Sequence, residues 1–238
     1  MYRSYVGFGL DDKQFDITQI NGMPLPGQQV RRSRPLTLGY TGKLEADASV
    51  WSYNIDLAAN VPGGVGNNFA ADQSEDPRIS TADWKALRGG ANYLTSVGNG
   101  WLWGVRGQFQ FSNEALISGE QFVLGGAHLY AVLERPISGD SGLLLSTALT
   151  TRELTPGLRL LGFVDAGWLS NNHPNGNPKP ANDSLTSAGV GLRYSVPALS
   201  VSADFGRVIG GSILPYVAGS GIPQAGDQKL HVNVSARF

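Results

Sequence analysis

Lys229-Leu230-His231-Val232-Asn233-Val234-Ser235-Ala236-Arg237-Phe238 alternates polar and apolar side chains without an error. Leu230, Val232, Val234, Ala236 and Phe238 fall on one face, and Lys229, His231, Asn233, Ser235 and Arg237 on the other. Successive side chains of a strand point to opposite faces, so this is a ribbon with one apolar and one wet side. About ten residues is also the length a tilted strand needs to cross a bilayer.

The same period recurs upstream. It predicts about ten strands, near 2–10, 34–42, 45–60, 82–96, 100–113, 142–154, 158–169, 185–196, 198–208 and 229–238. Short links are expected at Gly42-Lys43-Leu44, Val97-Gly98-Asn99-Gly100, Thr155-Pro156-Gly157 and Pro197-Ala198. Long links rich in Gly, Pro, Asn, Asp and Ser fall at 11–33, 61–81, 114–141, 170–184 and 209–228. Short and long links alternate strictly. Transmembrane barrels have short turns on one side and long loops on the other. The pattern therefore predicts an all-β, antiparallel, up-and-down transmembrane β-barrel of about ten strands, with 1–238 as one domain. A secreted β-sandwich, whose apolar face would be its core, also shows period two but gives no reason for that asymmetry. Polar positions such as Arg106, Gln108, Arg193 and Asp204 are expected to face a wet lumen. Trp84, Trp101, Trp168, Tyr194 and Phe238 are expected at the lipid–water interfaces.

Composition narrows the function. The chain has 238 residues, 32 glycines, no cysteine and a formal charge of −1. The charge gives no basis for nucleic-acid binding, and the missing cysteines remove disulfide frameworks and thiolate metal sites. No run of about 18 apolar residues is present, so helical spans are not expected. The segment from Met1 to Phe8 lacks the apolar core of a secretory signal, which for an exported barrel points to a longer chain.

One stretch carries a family resemblance. Ile117-Ser118-Gly119-Glu120-Gln121-Phe122-Val123-Leu124-Gly125-Gly126, followed by Ser138-Gly139-Asp140-Ser141-Gly142, resembles the loop of two-partner secretion transporters. These form the haemolysin activation/secretion family of the Omp85 superfamily. Arg152-Glu153-Leu154 resembles that family's strand ending, and Phe163-Val164-Asp165-Ala166-Gly167 its F-x-D-x-G strand. The terminal Phe238 is similar to the insertion signal that ends most bacterial outer-membrane barrels.

The resemblance implies the last ten of sixteen strands, without the first six or the periplasmic polypeptide-binding domains. It implies that loop 114–141 folds into the lumen and that a tip arginine pairs with the strand aspartate, here Asp165. A buried carboxylate needs a cation or several donors, which is why such a pair would pin a loop. In the tip this chain reads Ala127 to Glu134, with Tyr130 or Leu129 in the arginine's place and Arg135 nearby. Phe163, Asp165, Gly167 and Glu153 become the lumen-side elements. Glu120, Gln121, Phe122, Gly125, Gly126, Gly139, Asp140 and Gly142 become the loop-shaping ones. The implied function is translocation of a secreted partner of haemolysin or adhesin type across the bacterial outer membrane, without a cofactor. Membrane lipid and the barrel assembly machinery are the other implied partners. A passive porin-like or structural barrel is the alternative.

Other motifs yield to blander readings. Gly139-Asp140-Ser141-Gly142 also matches the serine-protease nucleophile, but His128, His173 and His231 lie in no triad or metal context, and no enzymatic activity is expected. Asp72, Glu75 and Asp76, with Asn67 and Asn68, read as a solvated acidic loop before a calcium site. Arg31, Arg32 and Arg34 read as a solvated basic rim. Gly63-Gly64-Val65-Gly66 reads as a loop, because no helix pattern follows it.

Overall fold

The computed structural model describes residues 1–15, 19–20, 23–24, 30–124, 137–174, 179–214 and 222–237. Ten strands form one sheet: β1 Tyr2–Leu10, β2 Pro35–Glu45, β3 Ser49–Asn60, β4 Lys85–Ser96 and β5 Leu102–Ser112, then β6 Ser141–Thr150, β7 Leu158–Ser170, β8 Asn182–Val196, β9 Leu199–Gly210 and β10 Gln228–Ala236. Each strand pairs with its neighbour in sequence, antiparallel throughout. Among the described residues no ladder joins β1 to β10, so the sheet is an arc with two free edges.

Alternation sorts the side chains cleanly. On β7, Leu161, Phe163, Asp165 and Leu169 are buried on the inner face, Leu169 against Leu124 and Ile137 of the 113–140 link. Leu160, Val164 and Trp168 are exposed on the outer one. The outer face continues across the whole sheet through Phe8, Leu38, Leu57, Val190, Phe205 and Val232, each at least 45% exposed. An apolar surface this extensive is not stable in water and identifies hydrocarbon as its medium. The inner face is wet where the loop does not cover it. Arg106 donates to Asn92 at 3.1 Å and Arg193 pairs with Asp204 at 2.7 Å.

Aromatics mark the short-turn border. Trp51, Tyr93 and Trp103 stack in a row with centroids 4.9 and 6.0 Å apart, and the hydroxyl of Tyr2 lies 2.6 Å from that of Tyr40 and 2.9 Å from that of Tyr53. Amphipathic rings favour such interfaces. Of the aromatics expected there, Trp84 is instead fully buried with Ala58, Ala86 and Leu116 under the long loops, and Phe238 lies outside the described residues.

Two boundaries also differ from expectation. β2 continues through Lys43 and Leu44, which pair with Ser52 and Trp51, so the turn falls at 46–48. Glycine at 42 is explained by the Tyr53 ring lying over it, 2.4 Å from where a Cβ would stand. β6 stops at Thr150 and leaves Glu153 in the turn.

Faces that differ this much should respond oppositely to one substitution. Val164→Arg, placed mid-strand on the outer face, should cost about 2–4 kcal/mol. Gln108→Arg, on the inner face, should cost little. Urea titration of the membrane-inserted protein checks both, and equal costs would contradict the assignment.

Candidate functional site: a loop docked on the inner face

Residues 113–124 and 137–140 of the link between β5 and β6 lie against the inner face. The two limbs of this loop, Phe122–Leu124 and Ile137–Gly139, form a short antiparallel ladder. Leu124 and Ile137 join Leu144, Leu169 and Leu185 in one buried cluster, with Phe122 and Ile222 packed on it. The wall is cut to receive them. A Cβ at Gly142 would stand 2.3 Å from Phe122 Cδ1, and one at Gly167 would stand 2.6 Å from Leu124 Cδ2. Two motif glycines are therefore glycine because loop side chains rest on them. Phe163 supports the same wall, its ring lying where a Cβ at Gly189 would be, only 2.5 Å away. Asp165 is buried beside it and accepts a hydrogen bond from Ser187 at 3.1 Å.

Two buried carboxylates hold the loop's limbs. Glu120, in a 3₁₀ turn at Ser118–Glu120, accepts from Lys13 at 3.0 Å, Arg88 at 2.9 Å and Ser33 at 2.8 Å. Asp140 is fully buried. One of its oxygens takes Arg78 at 2.9 Å and the Asn172 amide at 2.8 Å; the other takes the Leu116 amide at 2.9 Å and Gln121 at 3.1 Å. Gln110 of β5 bridges the two, donating to the carbonyls of Glu120 and Asp140 at 2.9 and 3.0 Å. Each carboxylate thus has the cation and multiple donors that burial demands. Lys179 donates to Gln121 at 2.7 Å, and burial, with help from the nearby Arg78 charge, lowers its pKa.

The structure brings Glu120, Gln121, Phe122, Gly139, Asp140, Gly142, Phe163, Asp165 and Gly167 into one region of the inner face. Glu153 is not among them. It is exposed in the turn between β6 and β7, where its carboxylate takes the Gly157 amide. Gly125, Gly126, Tyr130 and Arg135 lie outside the described residues. Lys13, Arg78, Arg88, Gln110 and Lys179 were not foreseen. Arg78 is 62 residues from Asp140 and Lys13 is 107 from Glu120, so no local pattern joins them.

The cap above the loop also departs from expectation. A helix, α1 Phe69–Glu75, does follow the Gly63–Gly66 run, its Asn68 cap accepting from Ala71 N at 3.1 Å. Seven residues are too few to show a helical period, and Asp72 in the first turn opposes an anion there. The acidic cluster is not solvated. Glu75 pairs with buried Arg31 at 3.1 Å and accepts from Ser118 N at 2.8 Å, Asp76 pairs with Arg78 at 2.7 Å, and Asp72 is buried. Nor is the basic rim free: Arg32 donates to Gln14 at 2.8 Å and Arg34 pairs with Asp12 at 3.4 Å. Among the described residues no His, Cys, Asp and Glu group could hold a metal ion.

Fold and site together define a transmembrane β-barrel wall with a loop docked on its lumen side. Residues 8–194 match the family described as haemolysin secretion/activation protein ShlB/FhaC/HecB. The chain belongs to that family, and its place is the bacterial outer membrane. Among solved structures, CdiB from Escherichia coli matches with a TM-score of 0.72 and 20% identity, over 100% of this chain and 42% of that one. CdiB from Acinetobacter baumannii matches with 0.65 and 15%, over 98% and 38%. BamA from Haemophilus ducreyi, in a form lacking POTRA domains 1–3, matches with 0.55 and 14%, over 98% and 51%. The chain thus spans about half or less of these proteins. A search of curated proteins found no match.

Burial pushes the Asp72 carboxyl up to about 7, with the Glu75 charge adding to the rise and Arg31 opposing it. A raised carboxyl pKa means the folded cap binds a proton the unfolded one releases. Its stabilising contribution is full below about 4 and is lost as pH rises toward 7. Asp72→Asn should therefore flatten the pH dependence of protease resistance in loop 61–84 and raise resistance at pH 8. A wild-type profile in the variant would refute this.

Proposed function

We propose that the protein forms part of an outer-membrane conduit through which a secreted partner protein of haemolysin or adhesin type crosses, with loop 113–140 as the movable obstruction. The observation that carries this reading is the docked loop itself. A segment fixed on the inner face by two buried carboxylates has to move before a polypeptide can pass, and steady conductance without such movement would argue for the passive alternative.

In this mechanism an extended partner chain travels along the wet inner face past Arg106, Asn92, Arg193 and Asp204. Opening requires Phe122, Leu124 and Ile137 to leave their wall. Each large apolar side chain so released costs about 1.5–3 kcal/mol, which the partner's own apolar contacts with Leu144, Leu169 and Leu185 offset. Asp165, Phe163 and Gly167 form the seat, and Glu120, Gln121, Asp140 and Gly142 shape the limbs. No nucleotide or cofactor enters.

The free edges of β1 and β10 carry unpaired backbone groups that hydrocarbon does not tolerate. We assign the sheet to one arc of a wider barrel, of about sixteen strands, inserted by the barrel assembly machinery. Asp165→Ala should reduce partner export at least tenfold while the amount of heat-modifiable folded barrel stays unchanged. Export at the wild-type rate would remove Asp165 from the mechanism.

A further inference from the structure

The structure assigns to Arg78 the role of positioning residue that locks the loop, and to loop 61–84 the role of carrying that lock. This rests on the translocation reading of the same site. The Arg78 guanidinium is 1% exposed and works on two sides. Its Nε and Nη2 grip Asp76, of its own loop, at 3.0 and 2.7 Å. That grip sets the guanidinium's orientation locally. Nη1 is left aimed at Asp140 Oδ2 at 2.9 Å and at the Asn172 carbonyl at 2.8 Å. Burial alone would lower the Arg78 pKa, but the hydrogen bonds and charges of Asp76 and Asp140 outweigh it and raise it, so the group stays a cation.

Asp140 is where the obstructing loop returns to the sheet, and its second oxygen holds Leu116 N and Gln121 from the loop's outgoing limb. One cation thus neutralises the carboxylate that ties both limbs together. Removing it would leave a fully buried charge supported only by neutral donors, a state that favours loop departure into water. Two further contacts bind the same pair of loops. Glu75 accepts from Ser118 N, and Ser80 donates to Glu114 at 3.1 Å. Loops 61–84 and 113–140 therefore move as one body or separate with loss of this lock. Arg88 and Lys13 hold Glu120 in parallel but are partly exposed, which makes Arg78 the anhydrous member of the set.

The test uses the assembled protein in outer membranes of the bacterium that makes it, read by single-channel conductance and partner export. Arg78→Met should raise the open fraction at least tenfold at an unchanged amount of folded protein, and Asp140→Asn should do the same. Arg78→Lys should fall between them and wild type, because it keeps the charge but loses the two-sided fork. An Arg78→Met channel as closed as wild type, at equal folded amount, overturns the lock. Should that variant fail to fold, Ser80→Cys with Glu114→Cys supplies an independent arm, the chain having no cysteine of its own. Joining the pair with a short cleavable thiol crosslinker should stop both openings and export, and cleavage should restore them. Crosslinked protein that opens normally overturns the lock. A wild-type channel that opens but exports no partner defeats the translocation reading and leaves the lock intact.

Discussion

Hydrocarbon leaves a backbone no solvent to bond with, and that constraint governs the rest of the molecule. It requires the long ladders between consecutive strands, whose register shifts at Thr186/Ser187 of β8, and with them a two-residue period. The period assigns every side chain to lipid or to the interior. Phe8, Val164, Val190 and Val232 can be exposed only because lipid meets them. The same assignment collects Asp165, Ser187, Arg193 and Asp204 on the other side, where water or a docked segment must satisfy them. It also explains the connections, since long irregular backbone is confined to one end of the sheet, outside the apolar band.

Against that wall the loop is held by two kinds of force with different consequences. Phe122 and Leu124 give the loop a place, through glycines at 142 and 167 that leave room for them. Glu120 and Asp140 give it conditional stability. A buried carboxylate is secure with its guanidinium and insecure without it, so small displacements of neighbouring loops change the loop's hold sharply. The partners come from three separate links: Lys13 and Ser33 from the first, Arg78 from the second and Asn172 from a later one. Such an arrangement makes the outer loops and the obstruction energetically one unit.

The sheet was legible in the sequence because period two is local: Trp103 to Phe111 or Leu199 to Phe205 each declare their two faces within a few residues. The alternation of short and long links declared the topology. Glu120, Asp140, Gly142 and Gly167 were legible only by resemblance, and the contacts each of these four makes are what the structure adds. What stayed hidden is non-local. Nothing near Arg78 in sequence announces Asp140, and a seven-residue helix such as α1 is too short to show a period. Trp84 looked like an interface anchor because it sits at a strand end, but a long loop folded over it. Glu153 followed its motif into a turn, where it caps Gly157 at the far end of the sheet from the docked loop.

The most direct measurement is a cysteine scan of β7 from Leu158 to Ser170 in native outer membranes, with a lipid-borne fluorescence quencher acting on a label at each position. Positions 160, 162, 164, 166 and 168 should be quenched, whereas 161, 163, 165 and 169 should be shielded while loop 113–140 is docked and open to a water-soluble reagent once it is released. Quenching without a two-residue period, or with the phase reversed, would contradict both the membrane wall and the seat built upon it.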